Sequence, residues 1–164
     1  MGMTDKATEQ HKALLRRAIA LAVRNVEAGH GGPFGALIVR EGEVVAEAGN
    51  SVFTTNDPTA HAEVNAIRAA CKKLGVFRLD GCTLYTSSEP CPMCLAACYW
   101  AHLDRIYYAA RAEDAARAGF DDAFLYRELA LSVDQRILPA REMLREEAQA
   151  SFAAWNASPY KQPY

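Results

Sequence analysis

Two short stretches about 30 residues apart constrain this chain more than any other feature of its sequence. They read His61-Ala62-Glu63 and Pro90-Cys91-Pro92-Met93-Cys94. Cysteines three residues apart on a helix leave the same face, so both thiolates can hold one ion. Proline suits the opening turn of a helix, where the positive end of the helix dipole lowers the pKa of a thiol. The second stretch therefore predicts a metal site at a helix N-terminus.

A third ligand is available from His61. Two thiolates and one neutral imidazole form a set that leaves the fourth tetrahedral position of zinc open for water. Zinc lowers the pKa of a bound water from about 15.7 to about 7, which gives hydroxide at neutral pH. The ligand set is therefore typical of a catalytic zinc site.

Glu63 adds a proton carrier to these ligands. It follows His61 by two residues, about 200° round an ideal helix, so the two side chains cannot face one ion from mid-helix. The geometry requires residues 57–60 to be a lead-in and His61 to open the helix, with Glu63 beside the bound water. A structural zinc knuckle or a redox CxxC is the alternative, but neither needs Glu63 or explains the missing fourth ligand.

Composition indicates a single soluble domain spanning residues 1–164. Half of the residues are hydrophobic (51%), which is ample for one core, and the net charge of −2 argues against a partner bound mainly through phosphates. Five cysteines without an apolar leader fit a reducing compartment, and no apolar run is long enough for a membrane span. We therefore expect a cytoplasmic protein.

Periodicity and breakers predict alternating helices and strands. The predicted helices cover residues 4–27, 61–73, 92–101 and 112–118, and the predicted strands cover residues 34–39, 44–48, 82–87 and 105–110. This order fits a mixed sheet with helices on both faces. The metal would then lie between the N-termini of the two motif helices.

Several positions stay open at this level. Cys98, one turn after Cys94, is a formal rival ligand but more typical of a buried core thiol. Asn50 is either a turn residue or a substrate contact. The acids in residues 120–124 either cap a helix or face a substrate. Residues 137–144 begin either a last strand or a last helix.

The two motifs resemble those of the cytidine deaminase superfamily, whose members are zinc-dependent nucleobase deaminases. Residues 57–63 and 89–94 are similar to its purine-deaminating and tRNA-editing branches. Within these, residues 32–164 most resemble the small guanine deaminases, on the strength of Ala118-Gly119-Phe120-Asp121-Asp122, the terminal Tyr164 and the lack of a basic C-terminal helix. Ser88 stands where some relatives have a cysteine, so we do not count it as a ligand.

The resemblance implies a site and a fold. It implies one Zn²⁺ per subunit on His61, Cys91 and Cys94, with Glu63 as proton shuttle and Asp122 near the leaving amine. The implied substrate contacts are Phe34, Asn50, Ala62, Trp100 and Tyr164. The implied fold is a three-layer α/β/α sandwich with a central five-stranded mixed sheet.

The activity implied by the resemblance is hydrolytic deamination of guanine to xanthine and ammonia. The implied assembly is a homodimer that exchanges the C-terminal tail, residues 156–164, between subunits. The alternatives are a tRNA adenosine deaminase, another deaminase of amino-substituted heterocycles, and a non-catalytic structural zinc module. No membrane partner is expected, and the net charge argues against nucleic acid.

Overall fold

A long first helix covers one face of a four-stranded sheet in this computed structural model, which describes residues 3–163. Helix α1 spans Met3–Glu27, as predicted to within a residue or two. Ala18 and Ala22 lie on its buried face. Val23 and Val26 are about half exposed, whereas the polar Asn25 is buried. Near its C-terminal end the helix therefore packs through small residues and one amide rather than through its valines.

The sheet is mixed, as predicted. Its strands are β1 (Gly35–Arg40), β2 (Glu43–Gly49), β3 (Cys82–Ser88) and β4 (Arg105–Ala110). Their order is β2-β1-β3-β4; β1 is antiparallel to both neighbours, and β3 is parallel to β4. Glu41 and Gly42 both have positive φ, which gives the tight turn that joins β1 to β2.

The second face of the sheet carries the helices that begin at the two motifs. Helix α3 (Ala62–Leu74) and helix α4 (Pro92–Trp100) contact each other and share one core with the sheet. A single turn, α2 (Val52–Thr55), precedes α3. Three fully buried alanines of α3, at positions 62, 66 and 70, allow the helix to lie close to the strands. With α1 on the opposite face, this is the predicted three-layer α/β/α arrangement.

The prediction of a five-stranded sheet was wrong, since the part of the chain that the structure describes forms four strands. After β4 come α5 (Ala112–Arg117), α6 (Asp122–Ala130), a short 3₁₀ turn (Val133–Gln135) and α7 (Arg145–Ala157). Residues 137–144 form neither strand nor helix. The backbone N–H of Ile137 donates to the Glu128 carboxylate at 2.8 Å, and Leu144 has positive φ, so this segment lacks the regular extended backbone of a strand.

The chain divides between Ala123 and Phe124 into two compact units. The second unit contains most of α6 and all of α7, and neither helix has a buried residue. Large apolar side chains in this unit are exposed, for example Leu138 (80%) and Phe152 (61%). Among the described residues, no helix combines the length and the apolar character that crossing a bilayer requires.

Candidate active site

Two helix N-termini meet at the site, each opened by a motif residue. His61 precedes the first residue of α3 and has extended backbone (ψ 155°). Cys91 stands in the same position before α4, with ψ 167°, and Pro92 is the first residue of that helix. The structure therefore has the helix starts that the motifs require, and both positive helix ends face the cluster.

The three predicted ligands converge on one point. The Nδ1 atom of His61 lies 3.6 Å from Sγ of Cys91 and 3.5 Å from Sγ of Cys94, and all three donor atoms are within 4.8 Å of one another. A tetrahedral zinc ion with usual bond lengths separates a nitrogen from a sulfur ligand by about 3.6 Å. The donor set and its spacing therefore fit zinc.

Hydrogen bonds link the two thiols and the imidazole, so the pKa of each group depends on the other two. The pKa of Cys91 is lowered, chiefly because the Cys94 thiol donates a hydrogen bond to it. The pKa of Cys94 is correspondingly raised by that bond and by burial, and the hydrogen bond with Cys91 raises the pKa of His61. One thiolate is thus already favoured, and a cation would displace the remaining protons.

Cys98, the rival ligand, lies in the core instead. It is 3% exposed and packs with Leu84 and Ile38 on the sheet side of α4. Burial raises its pKa to about 12, which disfavours the thiolate that a metal needs. It does not belong to the metal-binding group that the described residues form.

Glu63 is buried directly beside the ligands. Its Oε1 accepts a hydrogen bond from the Thr86 hydroxyl at 3.1 Å, and its Oε2 accepts one from the Cys94 thiol at 3.4 Å. Burial raises the pKa of this carboxyl above its ordinary value. A buried carboxyl with a raised pKa, fixed at both oxygens, is suited to taking up and releasing a proton near neutral pH.

A cavity of about 190 Å³ opens beside the cluster. Its lining combines aromatic and apolar side chains with a few polar groups: Gly32, Phe34, Asn50, Val52, Phe53, Pro58, His61, Cys91, Phe120 and Asp122. Five of these were predicted site residues. An apolar cavity with few convergent polar groups is the usual form of a small-molecule site.

Asn50 has a defined orientation at the cavity wall. Its Oδ1 accepts the backbone N–H groups of Gly32 at 3.3 Å and of Val52 at 3.2 Å. Because backbone donors occupy the oxygen, the amide presents its Nδ2 as the group available to a ligand. The turn-residue and substrate-contact interpretations are therefore compatible at this position.

The two adjacent acids differ in their surroundings. Asp122 lines the cavity and is half buried, whereas Asp121 is exposed and is not part of the lining. Burial, followed by the proximity of Cys91, raises the pKa of Asp122. Asp122 is also the first residue of α6, so its carboxylate lies in the first turn of a helix, where negative charge is favoured.

Two predicted substrate contacts do not line the cavity, and the structure does not describe a third. Ala62, the first residue of α3, is fully buried between His61 and Glu63. Trp100 is the last residue of α4 and is 64% exposed. Tyr164 lies outside the described residues. Their predicted roles stay predictions.

Sequence reasoning missed residues that support the site. Thr86 holds Glu63, and Phe120 packs edge-on against Phe34 at 4.9 Å between ring centroids. The side-chain amides of Asn25, which is buried, and Asn65, which is half-buried, donate hydrogen bonds to the backbone around Asn50. An asparagine on the buried side of a helix was the only signal for these amides, and it does not identify the partner.

Comparison with known proteins assigns this geometry to a family. Residues 8–110 match the cytidine and deoxycytidylate deaminase zinc-binding region. The chain is 52% identical over 154 residues to a guanine deaminase of Bacillus subtilis, a match covering 94% of this chain and 99% of that protein. The crystal structure of guanine deaminase from Bacillus subtilis superposes with a TM-score of 0.91, covering 94% of this chain and 98% of that one.

Other relatives match over shorter stretches. A guanine deaminase structure from Nitrosomonas europaea is 35% identical with a TM-score of 0.64, covering 67% of this chain and 64% of that one. A tRNA-specific adenosine deaminase of Agrobacterium fabrum is 49% identical over 79 residues, which are 48% of this chain and 52% of that protein. The similarity to the tRNA enzyme is thus confined to about half of each chain.

Proposed function

This chain belongs to the cytidine and deoxycytidylate deaminase zinc-binding family, and we propose that it catalyses the hydrolytic deamination of guanine to xanthine and ammonia. The observation that carries the proposal is a His/Cys/Cys group able to hold one metal ion in a chain 52% identical, over 94% of its length, to a guanine deaminase. That site combines the ligands His61, Cys91 and Cys94 with the buried Glu63 and an adjoining cavity.

Cavity size supports a free base as the substrate. Pockets for drug-sized ligands measure roughly 300–1,000 Å³. The cavity here is smaller, about 190 Å³, and so suits a single heterocycle. A tRNA editor would also be expected to carry basic surface, whereas the net charge is −2.

Ammonia release from guanine, adenine, cytosine and their nucleosides, measured side by side on the zinc-loaded protein, tests the proposal. We expect guanine to be the preferred substrate. Preferred turnover of adenine or cytosine, or of any nucleoside, would redirect the assignment to another deaminase. No turnover of any compound by a folded, zinc-loaded protein would favour a structural zinc module.

In the proposed mechanism Glu63 is the residue that transfers protons. When bound by His61, Cys91 and Cys94, zinc supplies a Lewis acid that lowers the pKa of water and stabilises developing negative charge. Glu63 accepts a proton from the water that attacks C2 of guanine and delivers it to the neighbouring ring nitrogen. Glu63 then carries the proton of the new C2 hydroxyl group to the exocyclic amine, which departs as ammonia while the carbonyl forms at C2. Thr86 keeps the carboxyl in position throughout.

Recognition of the base falls to the cavity wall. Asn50 donates from Nδ2 to an acceptor on the purine, since backbone donors already occupy its oxygen. Phe34, supported edge-on by Phe120, provides an apolar surface for the ring. Asp122 accepts from the polar edge of the base near the leaving amine. Holding the base in this way aligns C2 with the attacking water and reduces the entropic part of the barrier.

Asp122→Asn is expected to lower kcat/KM for guanine about 100-fold, with folding and zinc content intact. The substitution replaces a charged hydrogen-bond acceptor with a neutral amide in a half-buried site. Asp121→Asn is the matched control, since the neighbouring acid is exposed and should change kcat/KM less than about threefold. Steady-state kinetics of both variants provide the measurement. Equal losses, or a larger loss at Asp121, would return the pair to a helix-capping role.

We also propose that the protein is a cytoplasmic homodimer, one deaminase domain per chain, and that residues 156–164 are exchanged so that Tyr164 closes the partner's site. Free cysteines at all five positions suit a reducing compartment. Exposed apolar side chains on α7, including Phe152 at 61%, would gain by burial against a partner. Pro159 and Pro163 keep the tail from continuing the helix. Exchange of an element is a low-cost route to a dimer.

A mixing experiment separates action on the partner from action within the chain. One subunit carries Glu63→Gln with an intact tail; the other keeps Glu63 but ends before Ser158. Each homodimer should be nearly inactive. A mixed dimer has one site with its own Glu63 and the partner's tail, and we expect guanine turnover there because the tail docks across the interface.

Differently tagged subunits, refolded together and purified through both tags, provide the mixed dimer for the ammonia assay. Wild-type chains carrying the same two tags are the control for refolding. Inactive mixed dimers, with active controls, would show that the tail does not act on the partner subunit.

A further inference from the structure

One buried amide outside the cavity holds the backbone of two cavity residues. Asn25, near the end of α1, is 8% exposed. Its Nδ2 donates to the carbonyl oxygen of Gly32 at 2.9 Å and to that of Asn50 at 2.8 Å. Both residues line the cavity, although they are 18 positions apart in sequence. A single side chain thus joins the two segments that form this wall.

At two glycines the same segments lie so close to their neighbours that an added side chain would not fit. A Cβ at Gly31 would lie 2.4 Å from the carbonyl oxygen of Asn50 and 2.7 Å from its Oδ1. A Cβ at Gly49 would lie 2.4 Å from Oδ1 of Asn25. The loop therefore has little freedom to shift while these contacts persist.

A second amide anchors the other side of the same loop. Asn65 of α3 donates from Nδ2 to the carbonyl of Gly49 at 3.0 Å, to Oγ of Ser51 at 3.0 Å and to the carbonyl of Ala60 at 3.2 Å. Ser51 is also tied to Ala60 through the backbone at 2.9 Å. Asn50 is thus held between one amide on α1 and another on α3.

We propose that Asn25 is a positioning residue for substrate recognition, acting through Asn50. By fixing the carbonyls of Gly32 and Asn50, it keeps Oδ1 of Asn50 on the backbone donors and Nδ2 towards the cavity. The site would therefore favour bases that present a hydrogen-bond acceptor to Nδ2 of Asn50. This inference rests on the proposed function, since it assumes that Asn50 contacts guanine.

The effect should fall on binding more than on chemistry. Preorganised donors spare the ligand the cost of ordering them, and this saving is made when the base binds. Glu63 is held by Thr86 of β3, whereas the two hydrogen bonds from Asn25 go to the backbone of Gly32 and Asn50. Loss of Asn25 should therefore raise KM while leaving the proton-transfer groups in place.

Asn25→Leu removes both donors while keeping the number and branching of the side-chain heavy atoms. On the zinc-loaded enzyme we expect KM for guanine to rise about tenfold and kcat to stay within about threefold. His11→Phe is the matched control on the same helix, because it also removes two side-chain hydrogen bonds, to Tyr85 and Tyr107, but far from Asn50. It should lower stability to urea and leave KM unchanged.

A double-mutant cycle in kcat/KM then tests whether Asn25 acts through Asn50. Asn25→Leu should reduce kcat/KM about tenfold in the wild-type background and less than twofold in an Asn50→Ala background. Equal losses in both backgrounds, or an unchanged KM in Asn25→Leu, would overturn the proposal. Asn25→Ala, which also loses both bonds, replaces the leucine variant if that variant does not fold. A wild-type enzyme that leaves guanine untouched would instead contradict the proposed function.

Discussion

Glu63→Gln is expected to retain about one zinc per chain and to lose guanine turnover by about 10²–10⁴-fold, the usual contribution of a general acid–base group. The amide can keep the hydrogen bond from Thr86, because its Oε1 can accept as the carboxyl oxygen does. It cannot take a proton from water and pass it to the base. Metal content by emission spectroscopy, together with ammonia release, measures the two properties separately.

Glu89→Gln is the matched control for removing a carboxylate near the same ligands. Glu89 precedes Pro90, and its Oε2 accepts the backbone N–H of Ala112 at 3.1 Å, a bond that glutamine can also accept. Its turnover should stay within about fivefold of wild type. Loss of zinc from Glu63→Gln would instead identify Glu63 as a ligand. Turnover within about tenfold of wild type, or about 1.4 kcal/mol of barrier, would remove it from the proton-transfer role.

The parts of the fold that were predicted correctly are those with local signals. The starts of α3 and α4 follow from the metal chemistry, since His61 and Cys91 face one ion only from the positions before the helices. Glycine in the left-handed region ends α3 at Gly75 and helps to turn the chain between β1 and β2 at Gly42. Local steric rules therefore sufficed for the helix and strand boundaries.

The number of strands depended on pairing, which local sequence does not specify. Residues 137–144 have apolar side chains that suit a strand, and the resemblance also implied a fifth one. In the structure the backbone N–H of Ile137 donates a hydrogen bond to Glu128, and Leu144 has positive φ. The segment therefore does not form strand-to-strand hydrogen bonds. The packing of α1 is not specified by local sequence either, since the polar Asn25 is buried whereas the larger Val23 is half exposed.

The chemistry of the site was easier to predict than its support. The proximity of four side chains could be predicted, because few residue types at such spacings suit zinc binding and proton transfer. They are His61, Glu63, Cys91 and Cys94. Side-chain hydrogen bonds join Thr86 to Glu63, 23 positions away, and Asn25 to Asn50, 25 positions away. No pattern in one sequence specifies such partners. Their roles follow only from coordinates.

Cys94→Ala, and equally Cys91→Ala, is expected to abolish zinc binding and guanine turnover together. Either change leaves two ligands, and two ligands do not form the three-residue set that zinc requires in a catalytic site. The remaining thiol would still lie beside Nδ1 of His61, but the second thiolate that completes the ligand set would be gone. We expect purified variants to contain less than about 0.1 zinc per chain by emission spectroscopy, and their melting temperature should no longer respond to added zinc.

Cys98→Ala makes the same chemical change one turn along α4 and is the decisive control. This thiol is buried among core residues, and its pKa is raised to about 12, so its loss should cost about 1 kcal/mol of packing and no metal. Zinc content near one per chain and turnover within about threefold of wild type are expected. A folded but zinc-free Cys98→Ala protein, alongside a zinc-loaded Cys91→Ala protein, would mean that the helix holds the ion through Cys94 and Cys98. The positive N-terminus of α4, where Cys91 lies, favours the first pair, because only there does the helix dipole stabilise a thiolate.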